Sequence, residues 1–201
     1  MLRQMRVAVL ITIVMFAVTG LAYPLVMTGI AQTIFPDRAN GSMIEKDGQV
    51  VGSSLIGQSF TDPETGYTLT GYFRSRPSAA GDGYDANLSS GSNLGPTNAV
   101  LTERVASDVQ IIRDENGLAA DAEIPVDLVT TSGSGLDPDI SPASAELQIA
   151  RVARERGMTE EAVRDLVRKA TTGRWLGIFG EPRVNVLKLN ISLDEAAPLN
   201  P

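Results

Sequence analysis

The sequence predicts an α+β protein in which a single N-terminal transmembrane helix is followed by one extracytoplasmic α+β domain. Residues 7–36 contain no charged side chain, and residues 7–27 alone are long enough to cross a hydrocarbon layer of about 30 Å as a helix. The remainder of the chain mixes segments of helical periodicity with short alternating segments. Helices and strands in that irregular order are typical of α+β domains.

The charges before the apolar run set its orientation. Arg3 and Arg6 precede it, and the positive-inside bias therefore places the N-terminus in the cytoplasm. The alternative is a cleaved signal peptide, with residues 7–19 as its apolar region and residues 20–22 (Gly-Leu-Ala) as the cleavage site. The apolar stretch continues to Ile34, longer than such peptides run, which favours a retained anchor. Under both interpretations the rest of the chain leaves the cytoplasm.

These observations divide the chain into three parts. Residues 1–36 form the cytoplasmic N-terminus and the transmembrane helix, residues 37–194 form the extracytoplasmic α+β domain, and residues 195–201 are a frayed tail.

Small, hydroxylated and ring-bearing residues interrupt the apolar run and predict where it packs against another membrane protein. Small side chains allow helices to approach closely in lipid, and a proline near the outer end would kink the helix. The alternative is a generic anchor whose threonine hydroxyls bond back to their own helix. The candidate packing residues are Thr12, Thr19, Gly20, Tyr23 and Pro24.

The outer domain begins with strand and loop signals. Residues 42–58 predict a β-hairpin that turns at Asp47-Gly48. Residues 78–97 are rich in Gly, Ser, Asn and Asp, and a loop of this length is uncommon unless it is functional or packs on a partner.

Three helices follow from apolar spacing and from capping residues. Residues 97–116 have apolar positions three and four apart and end before Gly117. Ser141 and Pro142 begin a second helix, which ends near Gly157. Thr159 begins a third, which Gly173 is expected to close.

Two further segments are predicted to be strands. Residues 125–130 are a short strand candidate. Residues 183–193 alternate apolar and polar side chains, with a phase change at residues 186–187 that predicts a β-bulge.

The composition excludes much enzyme chemistry. The chain has no cysteine and no histidine, which removes thiolate nucleophiles, disulfides and histidine-dependent triads. It carries 17 basic and 24 acidic residues, and a net charge of −7 argues against a nucleic-acid partner.

The remaining candidates for chemistry are weak. The Gly-rich pieces at residues 81–83, 91–95 and 133–135 lack the spacing of phosphate-binding loops, and Ser134 lacks the first glycine of a nucleophile elbow. Asp82, Asp85 and Asn87 match part of a calcium-loop pattern. Asp137 and Asp139 form a carboxylate pair that could share a proton or complement a helix N-terminus.

Nine strings in this order closely resemble the C subunit of Kdp-type potassium-transporting P-type ATPases (KdpC), and they cover nearly the whole chain. They are YPL at 23–25, ANGS at 39–42, GSSLIGQ at 52–58, YFRSRPSA at 72–79, SGSNLGPTN at 90–98, PVDLVT at 125–130, SGSGLD at 132–137, QIARVA at 148–153 and GEPRVNV at 180–186.

The resemblance implies a non-catalytic, single-pass subunit of a potassium transport complex in the bacterial inner membrane. Its partners would be a potassium-selective channel-like subunit, an ATP-hydrolysing P-type subunit, a small single-span subunit and membrane lipid. Two roles are attached to the family: stabilising the assembly with an outer domain over the potassium entrance, and acting as a catalytic chaperone that raises the ATP affinity of the hydrolysing subunit.

The resemblance implies ATP for the complex and no metal. Direct nucleotide contact by this chain, with Gln148 as the candidate residue, sits uneasily with an outer domain that the bilayer separates from cytoplasmic ATP. The alternatives are a membrane-anchored binding domain without pump partners, and an extracytoplasmic hydrolase that uses Asp137 and Asp139.

Overall fold

A computed structural model describes residues 1–46 and 48–199. The chain divides into two compact units, Met1–Ser53 and Ser54–Pro201.

The first unit is dominated by one long helix. Helix α1 (Leu2–Phe16) continues through a wider turn, Ala17–Ala22, into helix α2 (Tyr23–Ile34). Together they form 33 residues with a mean hydropathy of 2.3, none of them buried, and are the one candidate membrane span in the described part of the chain. At about 1.5 Å per residue the helix exceeds the hydrocarbon thickness.

A hairpin completes the first unit. The short helix α3 (Pro36–Ala39) leads into strands β1 (Met43–Lys46) and β2 (Gln49–Ser53), which pair antiparallel with an irregularity after Ile44. The predicted hairpin is therefore confirmed, although it ends at Ser53. Its predicted turn residue Asp47 lies outside the described residues.

The second unit packs helices beside a small sheet, which confirms the α+β prediction. Its helices are α4 (Ala99–Asn116), α5 (Pro142–Arg156), α6 (Glu160–Ala170) and α7 (Val186–Ala196). Its strands are β3 (Asp139–Ile140), β4 (Thr171–Thr172) and β5 (Arg183–Asn185), antiparallel in the order β3-β5-β4.

Side-chain caps fix where these helices begin. Asn98, Ser141, Thr159 and Asn185 each accept a hydrogen bond from a backbone N–H in the first turn of the helix that follows. Helices α4 and α5 end at glycines with φ of +62°, a conformation that glycine adopts without steric cost.

The main core lies where α5, α6 and α7 meet the sheet. Its side chains alternate along β5 and recur on one face of each helix, so both periodicities point at one apolar centre. Its largest fully buried members are Phe73, Ile149, Val152, Val163, Val184, Val186, Leu189 and Leu193.

Three predictions about elements are wrong. The predicted strand at residues 125–130 is a 3₁₀ turn at Val126–Leu128. The predicted strand over residues 183–193 ends at Asn185, and the phase change at residues 186–187 marks the start of α7 and not a bulge. Helix α6 ends at Ala170 because Thr171 already pairs with β5, so Gly173 does not close it.

Candidate functional site

The middle of the long N-terminal helix is the first candidate site. Pro24 has no N–H, and its ring crowds the carbonyl group of Gly20, so the helix widens over Ala17–Ala22. Wider turns of this kind recur at functional sites. The structure therefore places the predicted packing residues Thr19 and Gly20 on the wide turn, with Tyr23 directly after it.

The threonines of this helix bond to their own backbone. The hydroxyl groups of Thr12 and Thr19 donate to carbonyl oxygens four residues earlier, at 2.9 and 2.7 Å. They need no polar group from a partner, as the alternative of a generic anchor expects. A Cβ at Gly20 would lie 3.7 Å from the Phe16 ring, an ordinary contact distance, so the helix itself does not require glycine there.

An extended segment in the second unit, residues 71–78, is the second candidate site and is called here the central segment. Its backbone bonds to side chains of helices α5 and α7. The Asn190 side chain accepts from the Phe73 N–H at 2.8 Å and donates to the Phe73 carbonyl oxygen at 3.0 Å. The Gln148 side chain accepts from the Arg74 N–H at 2.7 Å. Two amide side chains thus take the place of a neighbouring strand.

Gln148 has its polar atoms engaged within the protein. It is 1% exposed, and its Oε1 accepts from the Arg74 N–H and from Arg151 Nη2, the latter at 2.9 Å. Its Nε2 donates to the Ser144 carbonyl oxygen at 3.1 Å. The geometry therefore gives Gln148 a structural role and offers none of its atoms to a nucleotide.

The Arg74 side chain is buried among compensating groups. Its Nη1 donates to the Gly66 carbonyl oxygen at 2.9 Å, and its guanidinium lies 3.8 Å from both Asp108 and Glu115. Glu115 also accepts from the Thr68 N–H and hydroxyl, at 2.9 and 2.7 Å. Burial raises the pKa of Asp108, and the attraction of Arg74 acts against that rise.

Arg156 holds the beginning of the central segment and the end of the chain together. Its buried guanidinium donates to the carbonyl oxygens of Gly71 and Ala197, at 2.5 and 2.8 Å, and pairs with Asp194 at 2.8 Å. It also lies 4.7 Å from the centre of the Tyr72 ring. Helix α7 and the bond to Ala197 therefore extend into residues 195–201, which the sequence predicts to be a frayed tail.

Asp137 and Asp139 do not form a proton-sharing pair. Arg76 pairs with Asp137 and Arg183 pairs with Asp139, each at 2.9 Å. Asp137 also accepts from the Asp139 N–H at 3.0 Å. Burial raises the pKa of Asp139 and Arg183 acts against the rise. Each carboxylate thus pairs with its own arginine.

The Gly-rich pieces are turns that pack against one another. Gly135 has a φ of +68°, and a Cβ there would lie 2.5 Å from the carbonyl oxygen of Ser90 and 2.7 Å from the Ala80 nitrogen. The Ser78 hydroxyl donates to the Gly135 carbonyl oxygen at 2.6 Å. The glycines serve close backbone approach, and the long loop is fixed to residues 132–135.

The calcium-loop pattern is also used locally. Asp85 accepts from the Asn87 N–H at 2.8 Å, an Asx turn. Among the described residues no group of three or more acidic side chains is placed to hold a metal ion.

Sequence reasoning missed the side chain that fixes the start of α5. Asp127 accepts from the Ser141 N–H at 2.6 Å and from the hydroxyl groups of Ser141 and Ser144, at 3.0 and 2.7 Å. The sequence signal for this cap was Ser141 alone, because Asp127 lies 14 residues earlier, inside the segment that was predicted to be a strand.

A cleft of about 500 Å³ opens beside the central segment. Phe60, Arg74, Arg76 and Tyr84 line it, and the Tyr84 hydroxyl donates to the Arg76 carbonyl oxygen. Burial raises the pKa of Tyr84 to about 12. The arginines that line the cleft are already engaged, Arg74 with a backbone carbonyl oxygen and Arg76 with Asp137. They therefore support the structure of the cleft and are not available as reactive groups.

Comparison with known proteins gives a consistent result. The family model described as "KdpC: K+-transporting ATPase, c chain" matches residues 5–195. A potassium-transporting ATPase KdpC subunit of Koribacter versatilis is 52% identical over 99% of this chain and 98% of its own length. KdpC subunits of Bradyrhizobium diazoefficiens and Gemmatimonas aurantiaca are 53% and 52% identical, over 98% and 100% of this chain and 99% and 97% of their own lengths.

The buried amide of Gln148 supports a prediction about stability. In Gln148→Leu the Arg74 N–H and the Arg151 guanidinium lose a buried acceptor, so the free energy of unfolding should fall by about 3 kcal/mol. Denaturant unfolding of the detergent-solubilised chain measures this. The matched control is Gln110→Leu on the exposed face of α4, expected to change stability by less than about 0.5 kcal/mol. Equal stability of the two variants would contradict the structural role of Gln148.

The buried hydroxyl of Tyr84 supports a prediction about pH. Its pKa is about 12 in the folded chain against 10.0 for an ordinary tyrosine, so the unfolded chain loses this proton first as pH rises. Stability should therefore be unaffected by this group below pH 10 and fall by roughly 2–3 kcal/mol in total between pH 10 and 12.

Unfolding curves across that range measure the loss, with Tyr84→Phe as the control. The variant should show a shallower decline, and the slope that remains reflects Tyr72, whose pKa is also raised by burial. Parallel declines in the two proteins would refute the assignment to Tyr84.

Proposed function

Because this chain belongs to the KdpC family of potassium-transporting ATPase subunits, we propose that it anchors and stabilises the pump and raises the ATP affinity of the hydrolysing subunit. Within that family it is an accessory, non-catalytic subunit, and hydrolysis takes place on another chain. The observation that carries the proposal is the family match over residues 5–195, together with one long apolar helix that has no buried residue of its own.

We further propose the following topology. Residues 1–36 provide a short cytoplasmic end and the membrane helix, with Arg3 and Arg6 inside, and residues 37–194 form a domain outside the bacterial inner membrane. Arg3 and Arg6 would lie on the cytoplasmic side, so the part of the chain outside would carry 15 basic and 24 acidic residues, a net charge of −9. Such a charge would modestly concentrate cations near a potassium entrance on the channel-like subunit.

An outer domain can influence ATP binding only indirectly. About 30 Å of hydrocarbon separates it from the cytoplasm, and the amide of Gln148 is engaged within the domain. We propose that the effect is a coupling between sites, carried by helices that pack in the membrane, and not a nucleotide contact by this chain. The wide turn at Ala17–Ala22 is the place where such packing is proposed, because wide turns recur at functional sites and Gly20 lets another helix approach closely.

Detergent purification of the tagged chain tests the assembly. The proposal expects stoichiometric co-purification with a large polytopic subunit, a P-type ATPase and a small single-span subunit. It also expects that a complex assembled without this chain hydrolyses ATP with a weaker apparent affinity for ATP. A chain that purifies as a solitary monomer would contradict the proposal.

Sealed, right-side-out membrane vesicles test the orientation. External protease should degrade the domain of residues 37–194, and a chain that is protected until the vesicles are opened would refute it. A mature chain that begins near Tyr23 would instead show that the apolar segment is a cleaved signal peptide.

The wide turn supports a prediction about assembly. Gly20→Leu should lower the yield of the complex several-fold, because the new side chain projects from the helix into a neighbour. Ala22→Leu, on the same turn but a different face, is the matched control and should leave the yield close to that of the parent. Equal yields for the two variants would refute packing through Gly20.

A further inference from the structure

The hairpin between β4 and β5 exposes a cluster of large apolar side chains, called here the apolar tip. Trp175, Leu176, Ile178 and Phe179 are 70%, 70%, 72% and 58% exposed. Scattered apolar residues on a surface need no explanation, but four within five positions form a contiguous patch of the kind that marks an interaction site.

The apolar tip is an ordered turn. The Trp175 N–H donates to the Phe179 carbonyl oxygen at 2.8 Å, and the Phe179 N–H donates to the Trp175 carbonyl oxygen at 3.0 Å. Their rings lie 5.7 Å apart, and an ion pair of 2.6 Å between Arg174 and Glu181 closes the base. Because the backbone is already held, burying these side chains requires little further ordering.

Basic residues surround the apolar tip along the chain. Residues 168–188 contain five basic side chains and one acidic one. Arg168 and Arg183 pair with carboxylates outside this range, so the charge around the turn is close to balanced in the folded chain. Arg174 and Arg183 stand nearest the turn, and their side chains are 44% and 54% exposed. The Arg174–Glu181 pair is a surface pair, worth up to about 1 kcal/mol, so a phosphate group can replace its carboxylate partner.

We infer that the apolar tip inserts into the headgroup region of an anionic lipid bilayer. Trp175 and Phe179 would lie at the interface, the depth that aromatic rings favour, while Arg174 and Arg183 contact lipid phosphates. The candidate membrane helix of the same chain keeps the domain beside a bilayer. A pocket on another protein could also hold aromatic side chains, but the candidate membrane helix of the same chain and the partly exposed guanidinium groups of Arg174 and Arg183 favour an anionic bilayer. This inference goes beyond the proposed function.

The experiment uses Trp175, the one tryptophan of the chain, as the reporter. The full chain is placed in nanodiscs of phosphatidylcholine, with and without phosphatidylglycerol, and with nitroxide lipids labelled at shallow or deep positions. In anionic discs the emission should shift to shorter wavelength, and shallow labels should remove about half of it, since interfacial side chains lie about 5–10 Å into the boundary. Zwitterionic discs should give weaker quenching.

A double variant, Leu176→Ser with Ile178→Ser, keeps Trp175 as the reporter and removes apolar area from the tip. Its quenching in anionic discs should be at least several-fold weaker than that of the parent. The matched control, Val100→Ser with Val126→Ser, changes two exposed apolar residues elsewhere in the unit and should quench like the parent. The inference is overturned by unshifted, unquenched emission, by equal quenching in both lipids, by a tip variant that quenches like the parent, or by a shift that needs the other pump subunits. Co-purification with those subunits is a separate readout, so the proposed function is judged independently.

Discussion

The second unit depends on satisfying the backbone of the central segment, which crosses the domain without a neighbouring strand. A buried peptide group that lacks a hydrogen bond costs about 1–3 kcal/mol, so an extended segment needs a partner for each inward N–H and C=O. The amides of Asn190 and Gln148 supply these partners from two different helices. Each amide has both a donor and an acceptor, and Asn190 therefore bonds to both polar groups of Phe73 as a strand would.

This solution explains why so many arginines are buried in an acidic protein. Amide side chains fix the middle of the central segment, while guanidinium groups fix its ends and its loops, because a planar fork of donors can bond to several carbonyl oxygens at once. Arg156 bonds to two carbonyl oxygens and one carboxylate, and Arg74 to one carbonyl oxygen beside two carboxylates. The charges of Arg74 and Arg156 are compensated by neighbouring carboxylates, so both are structural groups and not remnants of a reactive site.

Local signals in the sequence were sufficient for α4 and α5 and for the start of α6. The caps Ser141 and Thr159 and the left-handed glycines Gly117 and Gly157 act within one turn, and the predicted starts of α5 and α6 agree with the structure. The second half of residues 183–193 was mistaken for strand because its apolar side chains pack on two sides. Leu187 and Leu189 are both buried and two positions apart, which imitates strand alternation over a short helix.

Contacts between distant residues could not be predicted in this way. Asp127 caps a helix 14 residues later, and Asn190 bonds to a residue 117 positions away, and no spacing rule connects such pairs. The carboxylates of Asp137 and Asp139 looked like a proton-sharing pair because their arginines, Arg76 and Arg183, lie far away along the chain. The resemblance identified the family, whereas the buried polar residues of the second unit are explained by packing.

The hydrogen-bonded interior of the second unit restricts how an accessory subunit can act on a pump. A chain that contributes no reactive group can change another subunit's ATP affinity only by contacting two states of that subunit with different free energies. Contacts of that kind require surfaces that stay in place while the partner moves, since a domain that deformed along with the partner would bind both states alike. The hydrogen bonds of the central segment hold such a surface in place in the second unit. Under the proposed function, the wide turn before Pro24 would give the candidate membrane helix an irregular shape that a moving partner fits in one state and not in another.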